Sequence, residues 1–502
     1  MSSKRTSHER PEYQSRAEIR HTQTMPRFET VGAPPKGGVE KVLSYLADVR
    51  AGEGWGVLLL TVNVFFLLFA YYLLKTVREA LILTEGGAYI KAYSSAGQAA
   101  LLMLLVPLYG FFGTKVVRIK LLTGLMLFFA ANLGIFHLFG VRGFKEGVVF
   151  YIWVGIFNVF AVSQIWAFAN DIYTEAQGKR LFPMIGVGSS LGAWLGALGA
   201  SRMVAMLHAT PYQLQLLAGG ILLICCAMLV SVNRIAVRNA VPEMASHATQ
   251  KLEQGDGFKL IFQNRYLLWI AVLTVILNVV NSTGEFLLGN LVSGQAQQYY
   301  PGNIAAQKQF IGTFYGNFFA GVNLLGFLLQ TFGVSRIFPA IGVRGAMYIM
   351  PTLSLMSYSL LGLLPMLGIV RWAKTFENAV DYSIQNTVKQ ALFLPTSREA
   401  KYKAKAAIDT FFMRTGDVIQ GGIVRLGAQF HLTMTGFAWI NAGLTLIWLY
   451  SVSRLSREHR RMGFGGSPES SAAMPSTRPA PTAAAARQAK VPLPPGAQAA
   501  TR

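Results

Sequence analysis

The chain has 502 residues, 52% of them hydrophobic and only 14% charged, with a mean hydropathy of +0.39. Soluble domains carry about 25% charged residues, so a water-soluble enzyme of this size is excluded. The formal net charge of +22 comes from Lys and Arg gathered in the two tails and in alternate loops. No basic motif with interleaved aromatics accompanies it, so it reads as membrane orientation rather than nucleic-acid binding. Cys225 and Cys226, the two cysteines, adjoin in an apolar stretch without metal-ligand spacing and are assigned to packing.

A helix needs about 20 apolar residues to cross a hydrocarbon core of about 30 Å. Residues 1–54 form a polar tail containing Glu9, Glu12, Glu18 and Glu29, unlike a secretory or transit peptide, which leaves the first span as an uncleaved targeting signal. Six spans come next, near Trp55–Leu74, Ala92–Phe112, Leu121–Phe139, Val148–Ala169, Phe182–His208 and Gln213–Val232. Beyond a polar linker, Leu267–Gly289, Ile311–Phe332, Ala346–Leu367 and Leu432–Ser451 read as four more. Two segments between the last pair, Gly368–Pro395 and Ala404–Gln429, are long enough but charged. Both tails are rich in Lys and Arg and so belong in the cytoplasm, which requires an even number of crossings. Either both charged segments span or neither does, and twelve spans give the consistent charge bias. The alternative is an amphipathic helix at the surface.

The expected organisation is a cytoplasmic tail (1–54), a six-helix half (55–232), a cytoplasmic linker (233–266), a second six-helix half (267–452) and a cytoplasmic tail (453–502). The stretch from Gly463 is rich in Pro, Ala, Ser and Gly, without apolar periodicity, and reads as disordered. Internal similarity supports two halves. Gly110-Phe-Phe-Gly-Thr-Lys115-Val-Val-Arg118 has a counterpart in Gly326 to Arg336, and Asn170 to Gly199 parallels Asn386 to Gly422. Repeats of this kind place a solute site near the bilayer midplane between the halves. The fold class is therefore an all-α polytopic membrane protein with about twelve transmembrane helices in two pseudo-repeats, resembling the major facilitator architecture.

Four polar groups stand against this apolar background. The first, at the end of the first span and the start of the second, holds Lys75, Arg78, Glu79 and Lys91, which suit an anionic solute or, alternatively, snorkel to the interface. The second runs from Asn170 to Pro183, where Asp171, Glu175, Lys179 and Arg180 form either an ion-paired gate or a solvated loop; glycines at four-residue spacing after it (Gly188, Gly192, Gly196) suit close helix packing. The third is Asn278, Asn281 and Glu285 on one face of the seventh span, where a buried carboxylate needs a partner or a proton, and the tenth span offers Lys or Arg. The fourth is a stripe of Arg371, Lys374, Glu377, Asn378, Asp381, Gln385 and Lys389, within roughly a 120° arc at 100° per residue. Ionisable groups inside a bilayer are costly, so the stripe must line a cavity or pair between helices. It continues into Lys403, Lys405, Asp409, Arg414 and Asp417, where Arg414 and Asp417 can pair at three-residue spacing. No Walker loop, metal-ligand cluster or nucleophile elbow occurs, so no enzyme, cofactor or metal is expected, and His137 and His208 fall near span ends as interfacial residues.

Together these motifs resemble the ATP/ADP translocase family of nucleotide transporters. The family's Lys-Asp-Thr-Leu-Val-Val, Gly-Ala-Glu and Phe-Leu-Lys are similar to Arg78-Glu79-Ala-Leu-Ile-Leu83, Gly87-Ala-Tyr89 and Tyr89-Ile-Lys91. Its Asn followed by Glu-Ala-Lys-Arg-Phe-Tyr resembles Asn170 and Glu175-Ala-Gln-Gly-Lys179-Arg180-Leu-Phe182. Its Asp-Pro-Thr-Lys-Glu-Met-Ala-Tyr-Ile-Pro and Lys-Gly-Lys-Ala-Ala-Ile-Asp look like Asn386 to Pro395 and Lys403-Ala-Lys405-Ala-Ala-Ile-Asp409. The resemblance implies candidate transport residues Lys91, Glu175, Glu285, Lys403 and Lys405. Tyr89 stands where the family has Glu, Asn386 and Gln390 stand for Asp and Glu, and the Lys that usually follows the seventh-span Glu is missing.

The expected function is secondary active antiport of ATP and ADP or another phosphorylated anion by alternating access, from a plasma or inner membrane with both termini cytoplasmic. Lys75, Arg78, Lys91, Lys374 and Lys389 would meet the anion, while Glu285 and Asp381 would compensate them when the site is empty. The alternatives are proton-coupled transport of another organic anion and a non-transporting membrane scaffold. The expected partners are the nucleotide or other organic anion and the lipid bilayer.

Overall fold

The computed structural model describes residues 37–44, 47–113, 118–238, 257–397 and 400–461. The expected tail before residue 37, most of the linker, residues 114–117 of the Gly110 motif, and the tail after residue 461 lie outside the described residues. Within them every long element is a helix, as a bilayer demands of a chain whose backbone groups must bond to one another.

Eight helices are long and apolar enough to cross a membrane unaided: Gly54–Glu85, Gly87–Tyr109, Ile119–Val141, Gly147–Ile172, Ala176–Met206, Pro211–Ala236, Arg265–Tyr299 and Ile304–Ala346. We refer to these as the first to eighth spans. Ile349–Leu363 is the ninth, and the charged segments form continuous helical rods at 367–392 (tenth) and 400–429 (eleventh). Met434–Arg461 is the twelfth. Several helices outrun their hydropathy. The first continues past the expected Leu74 to Glu85, and the second starts at Gly87, so Lys75, Arg78, Glu79 and Lys91 all lie on helices. The turn between them is made by Gly87 at φ +70, a conformation that glycine adopts without strain. Local caps fix other starts: Asn264 Oδ1 accepts from the amides of Tyr266 and Leu267, and Thr174 and Gln177 form a reciprocal capping box.

Close packing follows the glycine stripe. A Cβ on Gly188 would lie 2.7 Å from the Thr61 carbonyl oxygen, on Gly192 2.2 Å from that of Phe65, and on Gly196 2.5 Å from that of Phe69. The fifth span therefore lies backbone to backbone on the first, as small residues at this spacing permit. The halves meet where the eighth span packs on the fifth and first and where the second packs on the seventh and eleventh. Asn323 Nδ2 donates to the Ala193 carbonyl at 3.2 Å, and Gly316 lies against Ser201. The third, sixth, ninth and twelfth spans turn large side chains outward, among them Phe128, Ile135, Leu223, Ile224, Met356, Leu360, Leu446 and Ile447. These form the lipid-facing surface.

The fourth, eighth, tenth and eleventh spans contain π-helical turns, at Asn158–Val162, Leu329–Gly333, Asp381–Gln385, Ala400–Ala404 and Ile408–Phe412. Each adds a residue to its turn and rotates the helix beyond it. The stripe of the tenth span therefore does not keep its ideal arc beyond Val380.

Candidate functional site

A cavity of about 150 Å³ lies between the halves, walled by Lys75 and Arg78 of the first span, Lys91 and Ser95 of the second, Tyr151 of the fourth, Asn281 and Glu285 of the seventh, Phe319 of the eighth, Asn378 and Tyr382 of the tenth, and Gln420 of the eleventh. Six of the twelve rods bring a charge or hydrogen-bonding group to one point in an apolar bundle. Such convergence requires compensation, because an unpaired ion in low dielectric is costly.

Compensation runs through three carboxylates. Glu79, only 1% exposed, holds both Arg78 and Lys91 at 2.6 Å. The Arg78 guanidinium lies 4.4 Å from the Tyr151 ring centre and the Lys91 ammonium 5.2 Å from that of Tyr315. Across the cavity Glu285 accepts from Asn378 Nδ2 at 2.9 Å and faces Lys374 at 3.9 Å. Lys374 donates to Asn281 Oδ1 at 2.7 Å and pairs with Glu377 at 3.1 Å, whose other partner is the Tyr358 hydroxyl at 2.9 Å. Lys374 and Glu377 are buried behind the cavity wall rather than in it. Gly284 makes that arrangement possible, since a Cβ there would sit 2.1 Å from the Tyr358 hydroxyl and 2.9 Å from Lys374 Nζ.

Lys75 differs from the other cations. Among the described residues it forms no ion pair or hydrogen bond, and its ammonium lies 4.2 Å from the ring centre of Phe319, 5.2 Å from Tyr72 and 6.0 Å from Tyr382. The cluster of Lys75, Arg78, Lys91 and Lys374 against Glu79, Glu285 and Glu377 carries one positive charge in excess, and Lys75 is the cation without a carboxylate in contact.

The remaining sequence candidates lie elsewhere. Lys389 pairs with Asp409 at 3.0 Å, joining the tenth and eleventh spans. Lys405 donates to Gln390 of the tenth span, and Arg414 and Asp417 pair at 3.5 Å, with Ser282 donating to Asp417 at 2.8 Å. Asp381 opens the π turn, and its side chain makes no hydrogen bond or ion pair among the described residues. Arg180 does not pair within its own loop: it binds Glu53, ahead of the first span, at 2.9 Å, while Asp171 and Lys179 are exposed. Burial acts to raise the Glu53 carboxyl, but hydrogen bonds from Arg180, the Arg50 amide and Gln177 outweigh it and hold the group below its ordinary value. The Glu175 side chain, and Arg398 with Glu399, lie outside the described residues. Lys403 is half-buried at the start of the eleventh span.

At the opposite end Glu85 closes the first span and pairs with Lys308 of the eighth at 3.1 Å. Glu85 also accepts from the Gly147 amide at 2.7 Å, and Ser293 of the seventh span donates to the Leu83 carbonyl at 3.4 Å. The Lys308 and Ser293 contacts join the halves beyond the cavity. Glu85, Lys308, Tyr151 and the rings around Lys75 were not separable by sequence alone, since each depends on which helices adjoin.

A family model described as TLC ATP/ADP transporter matches residues 146–322 and 334–459. The chain belongs to this ATP/ADP transporter family. The relationship is distant. The ADP,ATP carrier protein 1 of Chlamydia muridarum is 22% identical over 493 residues, spanning 83% of this chain and 91% of the relative. That of Rickettsia conorii is 22% identical over 336 residues, spanning 59% and 65%. Among solved structures, the nucleoside transporter NupG aligns with a TM-score of 0.56 at 14% identity, covering 80% of this chain and 98% of NupG. The POT family transporter PepTSo aligns at 0.57 and 13%, covering 81% and 98%. Within the ATP/ADP transporter family this chain thus has the two-half, twelve-span architecture of major facilitator transporters, and it is a transporter rather than an enzyme.

Proposed function

We propose that this transporter exchanges ATP for ADP across the inner membrane, with both termini in the cytoplasm and the central cavity as the nucleotide site. The observation that carries the reading is the excess positive charge held between the halves, on Lys75, in a chain of the ATP/ADP transporter family. Phosphate oxygens are the natural partners of converging Lys and Arg groups. Arg78 and Lys91 stay charged and oriented by Glu79 while the site is empty, and a nucleotide phosphate would share them. Lys374 would hold Glu285 in place behind the cavity. The Lys- and Arg-rich tails support the cytoplasmic placement of both ends.

The test is purified protein in liposomes loaded with ADP. Labelled ATP should enter only when ADP is inside, and loading with buffer alone should abolish uptake. Uptake that follows an imposed pH gradient and ignores internal ADP would overturn exchange in favour of proton coupling.

A further inference from the structure

Three cations of the cavity each rest on an aromatic ring, but only Lys75 does so without a carboxylate. Its ammonium is 4.2 Å from the centre of Phe319 and 6.0 Å from that of Tyr382, and both rings line the cavity. Phe319 is held from behind by Tyr72, edge-on at 6.1 Å. Tyr382 is 44% exposed although it lies deep within the sequence of the tenth span. It occupies the π turn at Asp381–Gln385, where the extra residue per turn departs from the regular helical register. An exposed ring at a polar cavity in an otherwise packed bundle is a surface prepared for a flat partner, and here the ammonium of Lys75 stands beside it.

We propose that Phe319 and Tyr382 form the stacking platform for the planar base of the nucleotide, which the Lys75 ammonium covers while the site is empty and vacates when phosphate draws it away. This rests on the nucleotide reading above and adds the determinant that separates a nucleotide from a bare polyphosphate. The physical argument has two steps. A cation over a ring is held by the ring quadrupole alone, whereas a phosphate offers it charge-assisted hydrogen bonds, so phosphate wins the ammonium. The ring faces released are then apolar, flat and next to the phosphate-binding cations, the combination that stacking of a base requires. The same movement also addresses volume. The cavity of about 150 Å³ is smaller than ordinary ligand pockets of about 300–1,000 Å³, and withdrawing the Lys75 head group from between the rings enlarges it where the base would lie. Because every base has a π face, the platform should be tolerant of base identity.

Competition against labelled ATP in ADP-loaded liposomes tests this, with unlabelled ATP, GTP and inorganic tripolyphosphate as competitors. In the wild type both nucleotides should compete far better than tripolyphosphate. Phe319→Leu and Tyr382→Leu should each weaken ATP and GTP about tenfold or more, as loss of base stacking does, and leave tripolyphosphate nearly unchanged. Phe319→Tyr and Tyr382→Phe should restore the nucleotide preference, and Lys75→Met should weaken all three competitors together. Tyr382, the more exposed ring, provides a variant that folds if Phe319→Leu does not. The platform is overturned if the Leu variants lose ATP and tripolyphosphate in parallel, which would make the rings mere supports for Lys75, or if they lose neither. Wild-type protein that takes up no ATP would instead overturn the nucleotide reading itself, and with it the platform.

Discussion

Glu79→Gln is the sharpest probe of how the cavity is held together. The change keeps the shape of the side chain and removes the charge that Arg78 and Lys91 share, each at 2.6 Å. Glu79 is 1% exposed and Lys91 7% by side chain, so solvent does little to screen the loss. Removing one partner of a buried ion pair costs about 3–5 kcal/mol, because the charge left behind is uncompensated. Here two cations are left, and the excess positive charge of the cluster rises from one to two. The variant should therefore melt several degrees lower than the wild type in detergent. It should also be rescued by anions: tripolyphosphate or ATP should raise its melting temperature more than that of the wild type, since the ligand takes the place of the carboxylate. Exchange should slow, because a ligand that neutralises the site is released reluctantly. Adding Lys91→Met to Glu79→Gln should recover part of the stability. The reasoning fails if Glu79→Gln melts within about 1 °C of the wild type, or if anions stabilise both proteins equally.

Other perturbations test separate parts of the structure. Gly192→Ala would place a Cβ 2.2 Å from the Phe65 carbonyl oxygen; backbone cannot yield as a side chain does, so a loss of at least ~1–3 kcal/mol is expected in thermal melts, while Gly220→Ala, which meets nothing within 4 Å, should be neutral. Glu146, just ahead of the fourth span, is buried and accepts a hydrogen bond from Gln215 at 2.6 Å. Burial lifts its carboxyl from an ordinary 4.5 to about 7, so the folded state holds a proton that the unfolded chain has released. Stability from this group is full below about 4.5 and is lost as pH rises through about 7; melting temperatures from pH 4.5 to 7.5 should show the fall in the wild type and a flatter profile in Glu146→Gln. Lys308→Ala removes the ion pair that joins the halves through Glu85. With Cys225 and Cys226 replaced by serine, a cysteine at Ser95 in the cavity wall should then react faster with an impermeant thiol reagent added on the Glu85 side, and an unchanged rate would count against a latch there.

Hydropathy was enough to place the eight helices that are long and apolar enough to cross a membrane, because lipid imposes a length and a polarity that any sequence must display, and the four remaining segments are helical as well. The same method cut the first span at Leu74 and delayed the second to Ala92, since it stops at the first charges; the helix does not stop, as Glu79 neutralises Arg78 and Lys91 across the turn. The stripe of the tenth span was legible as an energetic anomaly, and so was the need of Glu285 for a partner from that span, met by Lys374 and Asn378. Its division was not. Periodicity placed Lys374, Asp381 and Lys389 on one face, but the π turn at Asp381–Gln385 breaks the register, and Lys389 reaches Asp409. Glu377 and Tyr358 share their buried corner with Lys374 only because residue 284 is glycine, a relation between three spans that no single-chain pattern carries. Arg180 was visible as a gate candidate, while Glu53, 127 positions away, could be found as its partner only through folding.

Among the described residues, the ion pairs given above are placed differently at the two ends of the bundle. At the end where the first span begins, Glu53 with Arg180 and Lys389 with Asp409 each tie helices of a single half. Rocking the halves apart leaves both intact. At the opposite end, Glu85 with Lys308 and the Ser293 hydroxyl on the Leu83 carbonyl cross from one half to the other, so opening that end must break them. A ligand shifts such an equilibrium only through contacts that differ between the two states. The cavity supplies a candidate for that difference, because Arg78 and Lys91 belong to the first half and Asn281, Asn378 and Tyr382 to the second. An anion that engages both sets tightens the halves around itself, and the work of releasing the Glu85 end then falls on binding energy rather than on the empty protein. An exchanger that must not change state unloaded needs that arrangement.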